Sequence, residues 1–247
     1  MTIFRFAWRA VALVVWILLG LLLVGLAFPV LRPGGRRALV LGMSRLLMRI
    51  CGVQVFEHGQ AVRDGAVLYV SNHVSWLDIF VLNSVRPTSF IAKSEIRRWP
   101  ILGWLVAGAG TVFIERGQRR AVHIVGQQME SRFQRGDAVG LFPEGTTSTG
   151  LDVKNFHASL FEAAIGLHVD IQPVALLFEQ DGRRTERFAF VGEQSLVGNI
   201  WVLLSSRRAQ VHCHFLELMP AQACAQWGRS VTAQHARDRI RAVVCPD

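Results

Sequence analysis

The stretch AVLYVSNHVSWLDIFVLN, residues 66–83, passes from strand to helix with no linker between them. Ala66–Ser71 is rich in β-branched and aromatic residues and runs into Ser71 and Asn72, which favour turns. Ser75–Asn83 then returns apolar residues at helical spacing. The alternation continues on both sides. Gly52–Glu57 is a short β-rich run upstream. Downstream, Ser89–Ala92, Thr111–Ile114, Ala138–Phe142, Ile171–Phe178, Phe188–Val191 and Gln210–Leu216 read as strands. Trp99–Ala109, the series Val122, Val125, Met129, Phe133 that stops at Gly136, Asn155–Ile165 and Thr232–Val243 read as helices. Glu179–Arg184 reads as a hairpin or surface turn. Strands alternating with helices predict an α/β fold: a mixed, mostly parallel sheet covered by helices on both faces. Ligands in such folds sit at the carboxyl ends of the strands.

Ahead of this domain, Ala10–Leu31 carries no charged residue. At about 1.5 Å per residue it reaches about 33 Å, against about 30 Å for a hydrocarbon core. Arg5 and Arg9 precede it, and Arg32, Arg36, Arg37, Arg45 and Arg49 follow. The heavier positive flank is C-terminal, which places the rest of the chain on the cytoplasmic side of the inner membrane. A cleaved signal peptide is the rival. The run is long for one, and Gly25-Leu26-Ala27 makes a poor cleavage site. Arg36–Ile50 reads either as a helix in the headgroup layer or as an ordinary first helix. The expected organisation is a membrane-anchor helix with an interfacial helix over residues 1–50 and the α/β domain over 51–247.

Composition narrows the class further. The chain has 247 residues, of which 51% are hydrophobic and 18% charged, and a formal net charge of +9. Its mean hydropathy is +0.31. These values exclude a disordered or coiled-coil protein. The length suits one sizeable α/β domain. The basic excess is almost entirely arginine, the only lysines being Lys93 and Lys154, and it suits anionic partners. Cys51, Cys213, Cys224 and Cys245 show no C-x-x-C spacing, and free thiols are expected. His212 and His214 share one face of a strand. With no third ligand evident, they read as a structural pair, and no metal is assigned.

Two motifs fall at strand ends. In Asn72-His73-Val74-Ser75-Trp76-Leu77-Asp78, Ser75 and Asp78 have capping-box spacing, so Ser75 is expected as the N-cap. His73 then folds back to donate one N–H to Asp78, leaving its other nitrogen as a base facing the crevice. The alternative is a solvent-exposed histidine beside an ordinary cap. In Phe142-Pro143-Glu144-Gly145-Thr146-Thr147-Ser148, a tight turn presents a carboxylate and a run of hydroxyls. Glu144 either holds a substrate hydroxyl or braces the loop. Lys93 and Arg116 each follow a strand and direct cations toward the same crevice, or pair with nearby glutamates. Trp99, Ile101, Leu102 and Trp104 are expected in the core, with an acyl groove or bilayer contact as the alternative.

In order, NHVSWLD, KSEIRRWPILGW, FIERG, FPEGTTS and the QPVAL strand at Gln172–Leu176 resemble the blocks of the lysophospholipid acyltransferases, the 1-acyl-sn-glycerol-3-phosphate acyltransferase family, over about Val53–Leu177. The resemblance implies acyl transfer from acyl-CoA or acyl-carrier protein to a lysolipid hydroxyl at a membrane. It implies no metal or organic cofactor and no nucleic-acid partner. His73 becomes the general base and Asp78 its orienter. Asn72, Lys93, Arg116, Glu144, Gly145, Thr146 and Thr147 become the substrate-binding set. Phosphatidate-forming members usually have arginine where this chain has Thr147. FPEGTTS followed by glycine is similar to the branch acylating other lysolipids, including lyso-ornithine lipid.

Overall fold

The computed structural model describes residues 2–97, 102–108, 111–114 and 119–246. The first helix, α1 (Thr2–Leu22), widens into a π turn at Leu23–Ala27, and α2 (Pro33–Cys51) begins on a proline and ends at a left-handed Gly52. Then follow β1 (Val53–Gly59), β2 (Val67–Ser71), α3 (Asp78–Val85), β3 (Thr88–Lys93), α4 (Ser94–Arg97), α5 (Leu102–Gly108), β4 (Val112–Ile114) and α6 (Arg119–Gln134). The chain continues with β5 (Ala138–Leu141), a 3-10 turn at Ala158–Phe161, α7 (Glu162–Gly166), β6 (Ile171–Gln180), β7 (Arg183–Arg184), α8 (Leu196–Ser205), β8 (Ala209–Phe215) and α9 (Ala221–Val244).

The strands form one sheet in the order β1-β8-β6-β2-β5-β3-β4, with β7 folded onto β6. Neighbours are parallel except β6–β8 and β6–β7. This is the mixed, mostly parallel sheet expected from the sequence. β2 lies mid-sheet and is buried throughout, so its residues feed both cores, as in other parallel strands covered on two faces. Val67 and Tyr69 join a cluster with Trp16, Leu47 and Leu203 from α1, α2 and α8. Leu68 and Val70 join one with Met129, Ala164 and Ile240 from α6, α7 and α9.

The N-terminal helix starts at Thr2 rather than Ala10, and over Thr2–Ala27 it is long and apolar enough to cross a membrane. One face is bound to the domain. Arg5 donates to the Ser205 carbonyl, and Arg9 to those of Leu204 and Ser206, satisfying the open carbonyl end of α8. Trp16 Nε1 donates to the Met43 carbonyl of α2. The opposite face exposes Phe4, Trp8, Val11, Val15, Leu18 and Leu22, a continuous apolar stripe at helical spacing.

Several sequence expectations are corrected. Phe188–Val191 is not a strand: Phe190 N–H donates to the Val74 carbonyl, so the segment crosses the strand ends instead of joining the sheet. The helix expected from Ser75 starts at Asp78. The one expected from Asn155 starts as the 3-10 turn at Ala158. The C-terminal helix reaches back to Ala221 and bends at Gly228. Helix α8, capped by Ser195 Oγ accepting from Gly198 N–H, was not anticipated. Trp104 is 74% exposed and therefore is not a core residue; Trp99 and Ile101 lie outside the described residues.

Gly140 of β5 is where the sheet leaves room for an aromatic ring. A Cβ there would stand 2.3 Å from Phe90 Cε1, and Phe90 is buried. Gly140→Ala is expected to destabilise the fold by about 1–3 kcal/mol through overpacking, read as a lower thermal unfolding midpoint of the detergent-solubilised chain.

Candidate active site

Parallel register brings the two motifs together. β2 pairs with β5 such that Val70 lies beside Leu141. Three residues beyond each partner stand His73 and Glu144, and Glu144 Oε1 accepts the His73 backbone N–H at 2.7 Å. β3 pairs with β5 on its other side, Phe90 beside Gly140, so Lys93 ends β3 at the same edge of the sheet. The Lys93 side chain and the whole of Arg116 lie outside the described residues.

The turn after β2 is held by a single carboxylate oxygen. Asp78 Oδ2 accepts His73 Nδ1 at 2.7 Å, Val74 N–H at 2.7 Å and Ser75 N–H at 2.9 Å. The contact expected between His73 and Asp78 is present, but the capping arrangement is reversed. Ser75 is not the N-cap: that position is Leu77, without a side-chain cap, and the Ser75 hydroxyl is buried with no partner. The aspartate captures the turn's N–H groups because it reaches backward from the first helical position. The turn's carbonyls are satisfied from elsewhere. His73 O accepts Ser148 N–H at 2.7 Å, and Val74 O accepts Phe190 N–H at 2.9 Å.

The imidazole is fixed on a second axis. The Phe142 ring stacks on it with centroids 4.1 Å apart and planes 13° apart. Phe90 stacks on Phe142 at 5.5 Å. Nδ1 thus meets a carboxylate that is fully buried, which fixes the orientation of the ring. Nε2 has no hydrogen-bond partner among the described residues, and the side chain is 20% exposed.

Glu144 is 4% exposed and acts as a brace. Its second oxygen, Oε2, accepts Lys154 N–H at 3.1 Å, so one carboxylate joins the His73 turn to the loop after the 142–148 bend. Burial pushes its carboxyl above the ordinary value, against the pull of these two backbone N–H groups. Gly145 takes a positive φ of 72°, which closes the bend. Thr146 is exposed. Thr147 Oγ1 donates to the Phe190 carbonyl. Asn72 is corrected as a substrate contact: it is fully buried, and its amide donates to the Leu176 carbonyl and accepts the Leu176 N–H, tying the turn to β6.

Two cavities adjoin residues linked to His73, although His73 itself lines neither. An apolar one lies between α1, α2, α3 and β3, lined by Trp16, Gly20, Val24, Val40, Ile79, Phe80 and Phe90. An open, polar one of about 560 Å³ is lined by Thr146–Thr149, Asp152, Lys154 and Phe190–Gly192. Neither Lys154, whose Nζ donates to the Thr147 carbonyl, nor the aromatic chain from His73 to Phe90 was picked out from the sequence. The strand register is what reveals them.

A family model described as Acyltransferase matches residues 53–177. A lyso-ornithine lipid O-acyltransferase from Pseudomonas aeruginosa is 36% identical over 198 residues, 79% of this chain and 75% of that protein. A 1-acyl-sn-glycerol-3-phosphate acyltransferase from Neisseria gonorrhoeae is 36% identical over 213 residues, 86% of this chain and 82% of that protein. Among solved structures, the 1-acyl-sn-glycerophosphate acyltransferase PlsC from Thermotoga maritima has the same fold. It superposes with a TM-score of 0.71 at 18% identity, covering 98% of this chain and 94% of that one.

Glu144→Gln replaces one acceptor with an N–H that faces a backbone N–H. It is expected to destabilise the chain by about 1–3 kcal/mol, the cost of an orphaned buried donor, measured by chemical denaturation. An unchanged midpoint would remove Glu144 as the brace.

Proposed function

The chain belongs to the acyltransferase family, and on that premise we propose that it moves an acyl chain from acyl-CoA or acyl-carrier protein to the free hydroxyl of a lysolipid. The observation that carries this reading is an imidazole held by a buried aspartate, with its second nitrogen open. His73 Nε2 takes the hydroxyl proton as the oxygen attacks the thioester carbonyl. Asp78 keeps the proton on Nδ1 and stabilises the imidazolium. The imidazolium then returns a proton to the departing thiolate. The N–H groups of Thr146 and Thr147 make no hydrogen bond among the described residues, and this reading assigns them to the developing oxyanion.

The apolar cavity receives the acyl chain on this reading, because its lining residue Phe90 is joined to His73 through Phe142. The polar cavity receives the headgroup. The exposed stripe of α1 supports contact with lipid, and the arginine-rich flank after it supports the cytoplasmic side of the inner membrane. Lys93 and Arg116 remain assigned to the acceptor's headgroup.

The acceptor is 1-acyl-sn-glycerol-3-phosphate in the broad family reading. Thr147 favours a second acceptor, lyso-ornithine lipid, because its hydroxyl is committed to Phe190 and offers no cation for a phosphate monoester.

Purified chain is expected to consume thioester only with a lysolipid acceptor, and His73→Ala to lose at least about 10² in rate. Full activity in His73→Ala would overturn the mechanism. Turnover of 1-acyl-sn-glycerol-3-phosphate and lyso-ornithine lipid, run side by side, assigns the acceptor. Gly20→Phe, which fills the apolar cavity, is expected to lower the rate with palmitoyl thioester about tenfold relative to decanoyl thioester. An unchanged ratio would place the acyl chain elsewhere.

A further inference from the structure

β1 and β8 are parallel neighbours whose register sets His58 beside His214 and Phe56 beside His212. Residues two apart on a strand leave the same face, so all three imidazoles project from one face of the sheet. Between them, Val211, Cys213 and Phe215 fill the core on the other face. The sequence presents His212 and His214 as a pair. The third ring comes from far along the chain, at the free edge of the sheet. One nitrogen of each ring lies within 4.8 Å of the other two.

We propose that His58, His212 and His214 form a binding site for a divalent transition-metal ion of borderline softness, with zinc as its reference occupant. Three imidazoles are a complete protein ligand set for zinc, the fourth position being taken by water. His58 Nε2 and His212 Nδ1 are 2.9 Å apart. Two nitrogens on a tetrahedral zinc, each about 2.0–2.1 Å from it, stand about 3.3 Å apart. The separation therefore needs to grow by only a few tenths of an ångström, while the stacked rings turn so that their lone pairs converge on the ion. His58 is exposed and on the edge strand, and His214 is half-buried, so both have room to swing onto it.

His212 supplies the second observation. Its other nitrogen, Nε2, is buried and makes no hydrogen bond, yet Glu179 Oε2 of β6 is 3.5 Å away. A metal on Nδ1 requires the ring proton on Nε2, where it faces this carboxylate. That is the carboxylate–histidine–metal relay that fixes ring orientation in known sites. Glu179 is thus a positioning residue. The charged groups around the triad are Glu179 from β6 and Arg184 from β7. Bound there, the ion ties the edge strand β1 to β8.

The test is calorimetric titration of zinc ion alone into the full chain in detergent, made without a polyhistidine tag and stripped with chelator. One zinc per chain is expected. Affinity should fall at least about 30-fold in both His58→Ala and His212→Ala, and about 10–100-fold in Glu179→Gln. His235→Ala, which alters a ring packed edge-on against Trp227 in α9, should bind as the parent does. Zinc should also raise the unfolding midpoint of the parent but not of His58→Gln, a milder substitution that preserves a polar side chain at the edge. No stoichiometric uptake, or uptake that survives His58→Ala and His212→Ala, would overturn the site.

Discussion

Three hydrogen bonds onto one oxygen, Asp78 Oδ2, hold the turn that joins β2 to α3. The chain must leave a fully buried strand at Ser71 and begin a helix seven residues later at Asp78. The backbone N–H groups in between have no ladder or helical partner, and burying them unpaired would cost more than the turn could tolerate. Oδ2 accepts two of them together with the imidazole, while Oδ1 is buried without a partner among the described residues. The fold's own accounting of polar groups and the orientation of His73 are therefore one interaction. A substitution at Asp78 loosens the turn and releases the ring together, whereas a substitution at His73 removes only the ring.

Strand register passes this constraint across the sheet. Because β2 and β5 are parallel and Val70 lies beside Leu141, equal offsets past the strand ends bring His73 and Glu144 into contact. Glu144 then reaches Lys154 N–H with its other oxygen, so the bend after β5 and the loop beyond it are fixed against the turn. An antiparallel pair would have sent the two motifs to opposite ends. The same parallel geometry at β1 and β8 aligns His58 with His214.

These relations mark what a sequence can and cannot reveal. Local signals were legible: the strand Val67–Ser71, the helix ending before Gly136 with its positive φ, and the long apolar N-terminal helix all follow from composition and periodicity. The His73–Asp78 contact was legible because its partners are five residues apart. Other features depend on partners far along the chain. Asn72 looks like a site residue in the sequence and turns out to be a tie to Leu176. Phe188–Val191 has strand composition but is drawn across the strand ends by Val74 and Thr147. Ser75 has the spacing of a cap, yet Asp78 wins the N–H groups, since an ionised acceptor binds them more strongly than a hydroxyl does.

Residues stacked on or bonded to His73 reach two unlike cavities. The imidazole's aromatic neighbours extend toward α1 and α2 through Phe142 and Phe90, into a mostly apolar cavity. On the other side the hydroxyl-rich bend and Lys154 line an open polar space. Gly140 makes the apolar path possible, since any side chain there would collide with Phe90. A thioester with a long tail and an alcohol with a charged headgroup cannot share one environment without one of them being poorly solvated. They can meet only at a border, and a base serving both must stand there with one nitrogen committed and the other free. On the proposed reading His73 suits that condition, because Asp78 takes Nδ1 from within the fold and Nε2 has no hydrogen-bond partner among the described residues.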